Sequence, residues 1–149
     1  MSHPALFASL EVLILTALEH AGCRARAAFY VADHAGRELR HVIGMPEAYA
    51  KCVDGFVIGE QSLACGLAAA RREPIISPDV NDDPRWAPWR WLAERFSYRA
   101  CWSFPVVAPS SEVLGTFAMY YAEPREATAR DVEIASLLSR TAAAVISRC

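Results

Sequence analysis

The sequence predicts an α+β fold in which a mostly antiparallel sheet is flanked by a helix at each end of the chain. Two observations carry this. The chain holds two hairpin patterns, each a pair of apolar runs joined by a short turn, and hairpins imply antiparallel pairing. It also opens and closes on long segments with apolar residues at helical spacing. The 149 residues, 54% of them hydrophobic, suffice for one core. A chain of this length buries roughly two-thirds of its unfolded surface, so one domain over 1–149 is expected without a covalent staple. No internal repeat, low-complexity tract or linker divides it.

The first helix is predicted over Pro4 to Ala21. Leu6, Leu10, Leu13, Ala17 and Ala21 form one stripe, Phe7, Ile14 and Leu18 a second, and Gly22 supplies a stop. A strand over Arg26 to Ala32, a turn at Asp33-His34-Ala35-Gly36 and a strand over Glu38 to Ile43 make the first hairpin. Pro46 to Lys51 reads as a short helix, and Asp54 to Gln61 as a loop framed by Gly55 and Gly59. Ser62 is placed as the cap of a helix running through Arg72. Pro74 to Ser77 is a short strand, Asp79 to Trp86 a loop dense in Pro, Asp and Asn, and Ala87 to Phe96 a helix. Strands over Tyr98 to Val107 and Val113 to Tyr121, turning at Pro109-Ser110-Ser111, form the second hairpin. The last helix starts at Thr128 with Asp131 three positions on, a variant of the capping box, and reaches the C-terminus.

Composition excludes several classes of function. The net charge of −2 comes without a block of like charge, so nothing attracts nucleic acid. Lys51 is the one lysine, and the scattered arginines read as solvated surface. The cysteines Cys23, Cys52, Cys65, Cys101 and Cys149 are odd in number and form no C-x-x-C pair, which suits reduced thiols in the cytoplasm. No uninterrupted apolar run nears the roughly 18 residues of a membrane span, and the N-terminus lacks a charged leader. Neither membrane insertion nor secretion is expected. His3, His20, His34 and His41 lack the spacing of a zinc helix, and Asp79, Asp82 and Asp83 do not match a calcium loop. Solvated turn formers are the reading for these acids. No serine triad, nucleophile elbow or phosphate-binding glycine loop is present.

Strand alternation locates a candidate pocket. In the second hairpin one face carries Tyr98, Ala100, Trp102, Phe104 and Val106 with Val113, Gly115, Phe117, Met119 and Tyr121. This bulky face is expected to pack on the terminal helices. The other face carries Arg99, Cys101, Ser103 and Pro105 with Leu114, Thr116, Ala118 and Tyr120. Small polar and aromatic side chains suit a concave pocket; the competing reading is a face filled by loops and helices. Asp79, after a strand and Pro78, either points into the pocket or caps the next turn. The tryptophans Trp86, Trp89 and Trp91 serve either as stacking surfaces for a flat ligand or as aromatics buried beneath a loop. Cys65, near a helix start, is a small core residue or a reactive thiol.

Several stretches, in order, resemble a bacterial GAF domain of the kind that precedes histidine kinases and diguanylate cyclases. They are Arg40-His41, Pro46-Glu47-Ala48-Tyr49 and Asp54-Gly55, then Cys65-Gly66-Leu67-Ala68-Ala69 leading to Pro74-Ile75-Ile76. Asp79-Val80, Asp83-Pro84 and Trp86 follow, then Arg99-Ala100-Cys101-Trp102-Ser103 with Pro105. Leu114-Gly115-Thr116-Phe117-Ala118, Tyr120-Tyr121, Pro124 and Thr128 complete the pattern. The resemblance implies a PAS- and profilin-related sheet of five to six antiparallel strands, with terminal helices on one face and a ligand pocket and loops on the other. The sixth strand would come from Phe56 to Ile58. It further implies a parallel dimer through the first and last helices, with Phe7 and Leu137 at the contact. The chain departs from the pattern at Leu63-Ala64-Cys65-Gly66, where Gly-Ser usually precedes Cys-Gly. The Cys-His pair of bilin-carrying members and the cyclic-nucleotide set are absent, so bilin, haem and metal are not expected.

The resulting expectation is a cytoplasmic sensory module, not itself an enzyme, that binds a small molecule and signals through its terminal helices. The candidate ligand residues are Tyr30, Asp79, Trp86, Cys101, Ser103 and Tyr120. A C-terminal output domain, most readily a two-component histidine kinase, is the expected partner, with the chain a fragment whose last helix runs on past Arg148-Cys149. The alternatives are a ligand-free dimerisation module and, further off, a methionine sulfoxide reductase using Cys65 and Cys101.

Overall fold

A computed structural model describes residues 4–22 and 24–147. Helix α1 (Pro4–Ala21) leads into strands β1 (Ala25–Ala32) and β2 (Glu38–Ile43). Next come α2 (Glu47–Val53), β3 (Phe56–Val57), α3 (Ala64–Arg71) and β4 (Ile75–Ser77). A 3-10 segment (Pro84–Trp89) runs into α4 (Arg90–Arg95), followed by β5 (Ala100–Val107), β6 (Val113–Tyr121) and α5 (Ala129–Ser147). The six strands form one sheet in the order β3-β2-β1-β6-β5-β4, every neighbouring pair antiparallel. The expected run of the last helix through Arg148-Cys149, and the Cys23 and Cys149 thiols and His3, lie outside the described residues.

Local signals account for most boundaries. Gly22 at φ 86 donates its N–H to the Leu18 carbonyl at 2.9 Å and ends α1. At α5 the capping box closes both ways: Asp131 N–H donates to Thr128 Oγ1 at 3.1 Å, and Thr128 N–H donates to Asp131 Oδ2 at 2.9 Å. The sixth strand is β3, whose Phe56 pairs with Leu39 of β2.

Three expectations are corrected. Ser62 does not cap α3: Leu63 holds the cap position, no side chain satisfies it, and Ser62 lies beside Gly66. A Cβ on Gly66 would run into the Val57 carbonyl and the Ser62 side chain, so glycine is what lets α3 approach β3. The helix over Ala87 to Phe96 is split, because Pro88 cannot donate to an α-helical ladder and sits in the 3-10 segment. In the second hairpin a register shift at Val106/Val107 pairs Val107 with Val113 and Val106 with Gly115. That bulge turns Leu114 to the terminal helices and Val113 to the opposite side, reversing the expected faces.

The sheet separates two cores. Toward α1 and α5 it presents Phe29, Trp102, Phe104, Phe117, Met119 and Tyr121, which meet Leu6, Leu10, Leu13, Ile14, Leu138 and Ala142. The expected bulky face is therefore the helix-bearing one, apart from Tyr98 and Val113. Toward α2, α3 and α4 it presents Ala28, Tyr30, Leu39, Cys101, Ala118 and Tyr120. Helix α1 has 18 residues with a mean hydropathy of 1.4, long and apolar enough by those measures to cross a membrane. In the fold it lays Leu6, Leu10, Leu13 and Ile14 against the sheet and leaves Glu11 and Glu19 exposed.

Where α1 ends and α5 begins, a polar corner ties the helices to the sheet. Arg125 lies over the Tyr121 ring at 4.5 Å and the Trp102 ring at 5.6 Å and donates to the Ala21 carbonyl at 3.1 Å. Its carbonyl accepts the Trp102 indole N–H at 3.2 Å. Asp131 sits 2.9 Å from His20 Nε2 and 3.7 Å from Arg125. Burial alone would raise the Asp131 pKa, but the hydrogen bonds from Thr128 and His20 and the Arg125 charge outweigh it and hold the carboxyl below its ordinary value. A depressed carboxylate contributes stability above the unfolded-state pKa, and that contribution is lost as pH falls through the folded-state pKa. Asp131→Ala is expected to lower unfolding stability by roughly 2–3 kcal/mol at neutral pH. In urea titrations its deficit relative to the parent should shrink once pH falls below the ordinary carboxylate range; a pH-independent deficit would show that the charge is not what matters.

Candidate functional site

The side of the sheet facing α3 is organised by tyrosines. Tyr30 of β1 and Tyr120 of β6 share a hydrogen bond at 2.7 Å between their hydroxyls. Tyr49 of α2 and Tyr98, just before β5, share another at 2.8 Å. The rings interlock edge to face, with centroids 5.0 Å apart for Tyr98 and Tyr120 and 5.7 Å for Tyr49 and Tyr120. None of the four is more than 4% exposed, so the rings themselves fill this face. Burial pushes all four phenols up in pKa, which keeps them neutral donors and acceptors.

Beneath α3 lies a second polar group. The Cys65 sulfur is 3.1 Å from Ser103 Oγ, and the Cys101 sulfur is 4.0 Å from the same hydroxyl. Burial raises the Cys65 pKa against the pull of the Ser103 and Thr116 hydroxyls. Burial raises that of Cys101 well above its ordinary value, and a thiolate at Cys65 would raise it further. Both therefore stay thiols, whereas nucleophilic chemistry needs a thiolate. The Thr116 hydroxyl is fully buried beside this group and lacks a well-formed hydrogen bond among the described residues.

The loop before β5 is pinned from below. Trp86 donates its indole N–H to Ser77 Oγ at 3.0 Å, and Ser77 donates to Asp83 Oδ2 at 2.6 Å. Asp83 accepts the Arg85 backbone N–H at 3.0 Å, capping the 3-10 segment, and pairs with the Arg85 guanidinium at 2.7 Å. Its side chain is only 11% exposed, so Asp83 is an anchored cap and not the solvated turn former expected of it. The tryptophans divide: Trp86 is buried under the loop, Trp89 packs at the edge of the core, and Trp91 is 54% exposed.

Of the sequence-predicted residues, Tyr30, Trp86, Cys101 and Tyr120 share one cluster, and Ser103 bonds within it. Asp79 does not join them. Its carboxylate pairs with Arg99 at 3.1 and 2.7 Å and accepts the Asn81 N–H at 3.0 Å, capping the turn that follows. The Arg99 hydrogen bonds hold its pKa below the ordinary value. Tyr49 and Tyr98 were not singled out by the sequence. Alternation places Tyr98 on the helix-bearing face, but β5 begins at Ala100 and Ser97 takes φ 62, so the alternation starts two residues later.

At the border of the cluster a cleft of about 390 Å³ opens to solvent. Tyr98 and Tyr120 form part of its wall, with Phe96, Ala25, Ser97 and Ala122. Arg24, Arg26 and Arg95 complete it. Among the described residues no group of three His, Cys, Asp or Glu side chains is arranged to hold a metal.

A six-stranded antiparallel sheet carries both terminal helices on one face and short helices and loops over a buried polar cluster on the other, which defines a two-core α+β domain. The sequence model described as GAF domain matches residues 8–147. The chain belongs to the GAF domain family, a sensory and regulatory fold. It is 29% identical over 89 residues to the methyl sulfide methyltransferase-associated sensor of Methanosarcina acetivorans. That match takes in 60% of this chain but spans only 9% of that protein. Among solved structures, a domain assigned to a two-component sensor histidine kinase of Sinorhizobium meliloti 1021 superposes with a TM-score of 0.76 at 24% identity, over 93% of this chain and 88% of that one. The GAF domain of an Acinetobacter phosphoenolpyruvate-protein phosphotransferase gives 0.76 at 15% identity over 99% and 85%. A type II free methionine-R-sulfoxide reductase of Thermoplasma acidophilum gives 0.74 at 16% identity over 96% and 89%. At these identities the likeness is one of fold.

Removing one hydroxyl of a buried pair strands its partner, while removing both leaves no orphan. Tyr30→Phe and Tyr120→Phe are each expected to lower stability by about 1–2 kcal/mol. The double variant should lose clearly less than their sum in a urea-denaturation cycle; strict additivity would mean that the hydroxyls do not depend on each other.

Proposed function

We propose that this GAF domain is the cytoplasmic input module of a signalling protein. It senses a small molecule on the α3 side of the sheet and passes the change through α1 and α5 to a C-terminal output, most readily a histidine kinase. The observation that carries this reading is the sharing of strands. β1, β5 and β6 contribute alternate side chains to the tyrosine cluster and to the core beneath the terminal helices. A shift of these strands on one side is therefore felt on the other. For a ligand to act, it must favour one arrangement of the helices energetically. The Sinorhizobium likeness, by its description a domain of a two-component sensor histidine kinase protein, supports the choice of output as an analogy of fold.

The helices have surface for a second copy. Phe7, Val12 and Leu15 of α1 and Leu137 of α5 are between 43% and 60% exposed. A homodimer packed through these positions would carry the helices on toward the output. In this reading the domain catalyses nothing itself. Cys65 and Cys101 act as packing residues, because both thiols are buried and held protonated.

One observation favours a second reading, a dimerisation module without ligand. The interior of the α3 side is filled by its own aromatic rings, and the open volume lies at its border. Native mass spectrometry of freshly purified protein separates the two. A dimer with a reproducible additional mass is expected. A dimer of bare chain mass that gains nothing from added metabolite extract supports the second reading, and a monomer at every concentration contradicts both. Leu137→Glu is expected to shift the dimer to monomer with helical content unchanged.

A further inference from the structure

We propose that the cleft between the start of β1, the end of β6 and the α4–β5 turn binds a small organic anion, a carboxylate or phosphate attached to a flat apolar group. This rests on the sensory reading above and names the ligand class and its place. The cleft is lined by Arg24, Arg26 and Arg95 beside the half-buried Phe96, with Tyr98 and Tyr120, each no more than 4% exposed, at its floor. Its volume of about 390 Å³ falls in the range of small-molecule sites, roughly 300–1,000 Å³.

The charges there are unspent. Among the described residues no carboxylate lies within 4.0 Å of Arg26 or Arg95. Arg26 reaches only the Phe96 carbonyl at 3.4 Å, while Arg95 lies 5.2 Å over the Phe96 ring and 3.7 Å from the Cys52 sulfur. Arg24 faces Glu123 at 3.6 Å, both side chains being largely exposed, so that contact is weak and screened. Guanidinium forks match carboxylate and phosphate oxygens two at a time. Three of them around one concavity, in a chain of net charge −2, make a local positive site in a mildly acidic protein. Phe96, half-buried among them, offers the apolar contact for a flat group.

The backbone gives a second, independent observation. Arg24 and Ser97 both hold positive φ, 68 and 62, although neither is glycine. Such conformations carry backbone strain and cluster at binding sites and switches. Here both line one cleft. The location also fits a signalling role. Arg24 belongs to the connection from α1 into β1, and Ala122 follows the last residue of β6 on the way to α5. An anion held between Arg24, Arg26 and Arg95 would thus grip both connections to the terminal helices at once.

The test is a titration of the isotopically labelled chain, followed by backbone amide NMR, with phenyl phosphate, benzoate and the neutral benzyl alcohol. Both anions are expected to shift the amides of residues 24–26, 95–98 and 120–122, and benzyl alcohol to do so far more weakly. Replacing Arg26→Gln and Arg95→Gln together should weaken the anions by roughly tenfold or more, with the spectrum elsewhere unchanged. Glu123→Gln, which frees Arg24, should tighten them. Equal binding of the alcohol, unaltered anion binding by the double arginine variant, or shifts confined to another region would overturn the proposal. Shifts on the α3 side and in α1 and α5, with none at the cleft, would sink this site and leave the sensory reading standing. Cleft binding without any response in α1 or α5 would keep the site and sink the transmission.

Discussion

Strands β1, β6 and β5 are covered on both faces over most of their length, so nearly every side chain along them serves one of two separate cores. The structure depends on this arrangement in two ways. The strands have no wet face on which a register error would be harmless, and a slip of one residue would exchange Phe117 and Phe104 for Ala118 and Ser103. The same strands also form the layer between the two cores. On one side they carry the tyrosine pairs and the Cys65–Ser103–Cys101 group, and on the other the packing of α1 and α5. A GAF domain organised this way has no need of a long relay, because its two faces are the two sides of single strands.

The polar corner at the helix ends complements that shared sheet. Arg125 stacks on Tyr121 and Trp102, holds the α1 terminus through the Ala21 carbonyl, and lies 3.7 Å from Asp131 at the head of α5. The terminal helices are therefore clamped to β5 and β6 at one end. Leu138, Ala142 and the α1 leucines hold them along their length. A movement of the β1 or β6 ends, where the arginine-lined cleft lies, is applied close to this clamp. The exposed Val12, Leu15 and Leu137 face away from the sheet, leaving the outer surface of the helix pair available to a partner helix.

Elements set by short-range chemistry were legible in the sequence. Helix α1 from Pro4 to Ala21, the β2 strand, the β6 strand and the Thr128–Asp131 capping box follow from spacing and caps alone. What escaped was set by backbone irregularities. The bulge at Val106/Val107 exchanged Val113 and Leu114, and positive φ at Ser97 moved Tyr98 to the other core. β3 is two residues long, too short for a pattern, and came from family resemblance only. In the candidate site, alternation along β5 and β6 brought Cys101, Ser103 and Tyr120 to one face. Asp79 left it because Arg99, twenty residues on, offered a charged partner outside. Tyr49 was out of reach, since nothing local says that α2 folds back over the sheet. The cleft was equally hidden, because Arg24 and Arg26 stand some seventy residues from Arg95 and scattered arginines read as solvated surface.

Native-state hydrogen exchange in a Tyr98→Phe variant tests the shared-sheet claim most directly. Tyr98 belongs to the tyrosine cluster, lines the cleft and is not a member of the terminal-helix core. If the faces are coupled through β1, β5 and β6, amides of α1 and α5 will lose protection together with those strands. A loss confined to α2, α3 and α4, with the terminal helices exchanging as in the parent, would contradict the account.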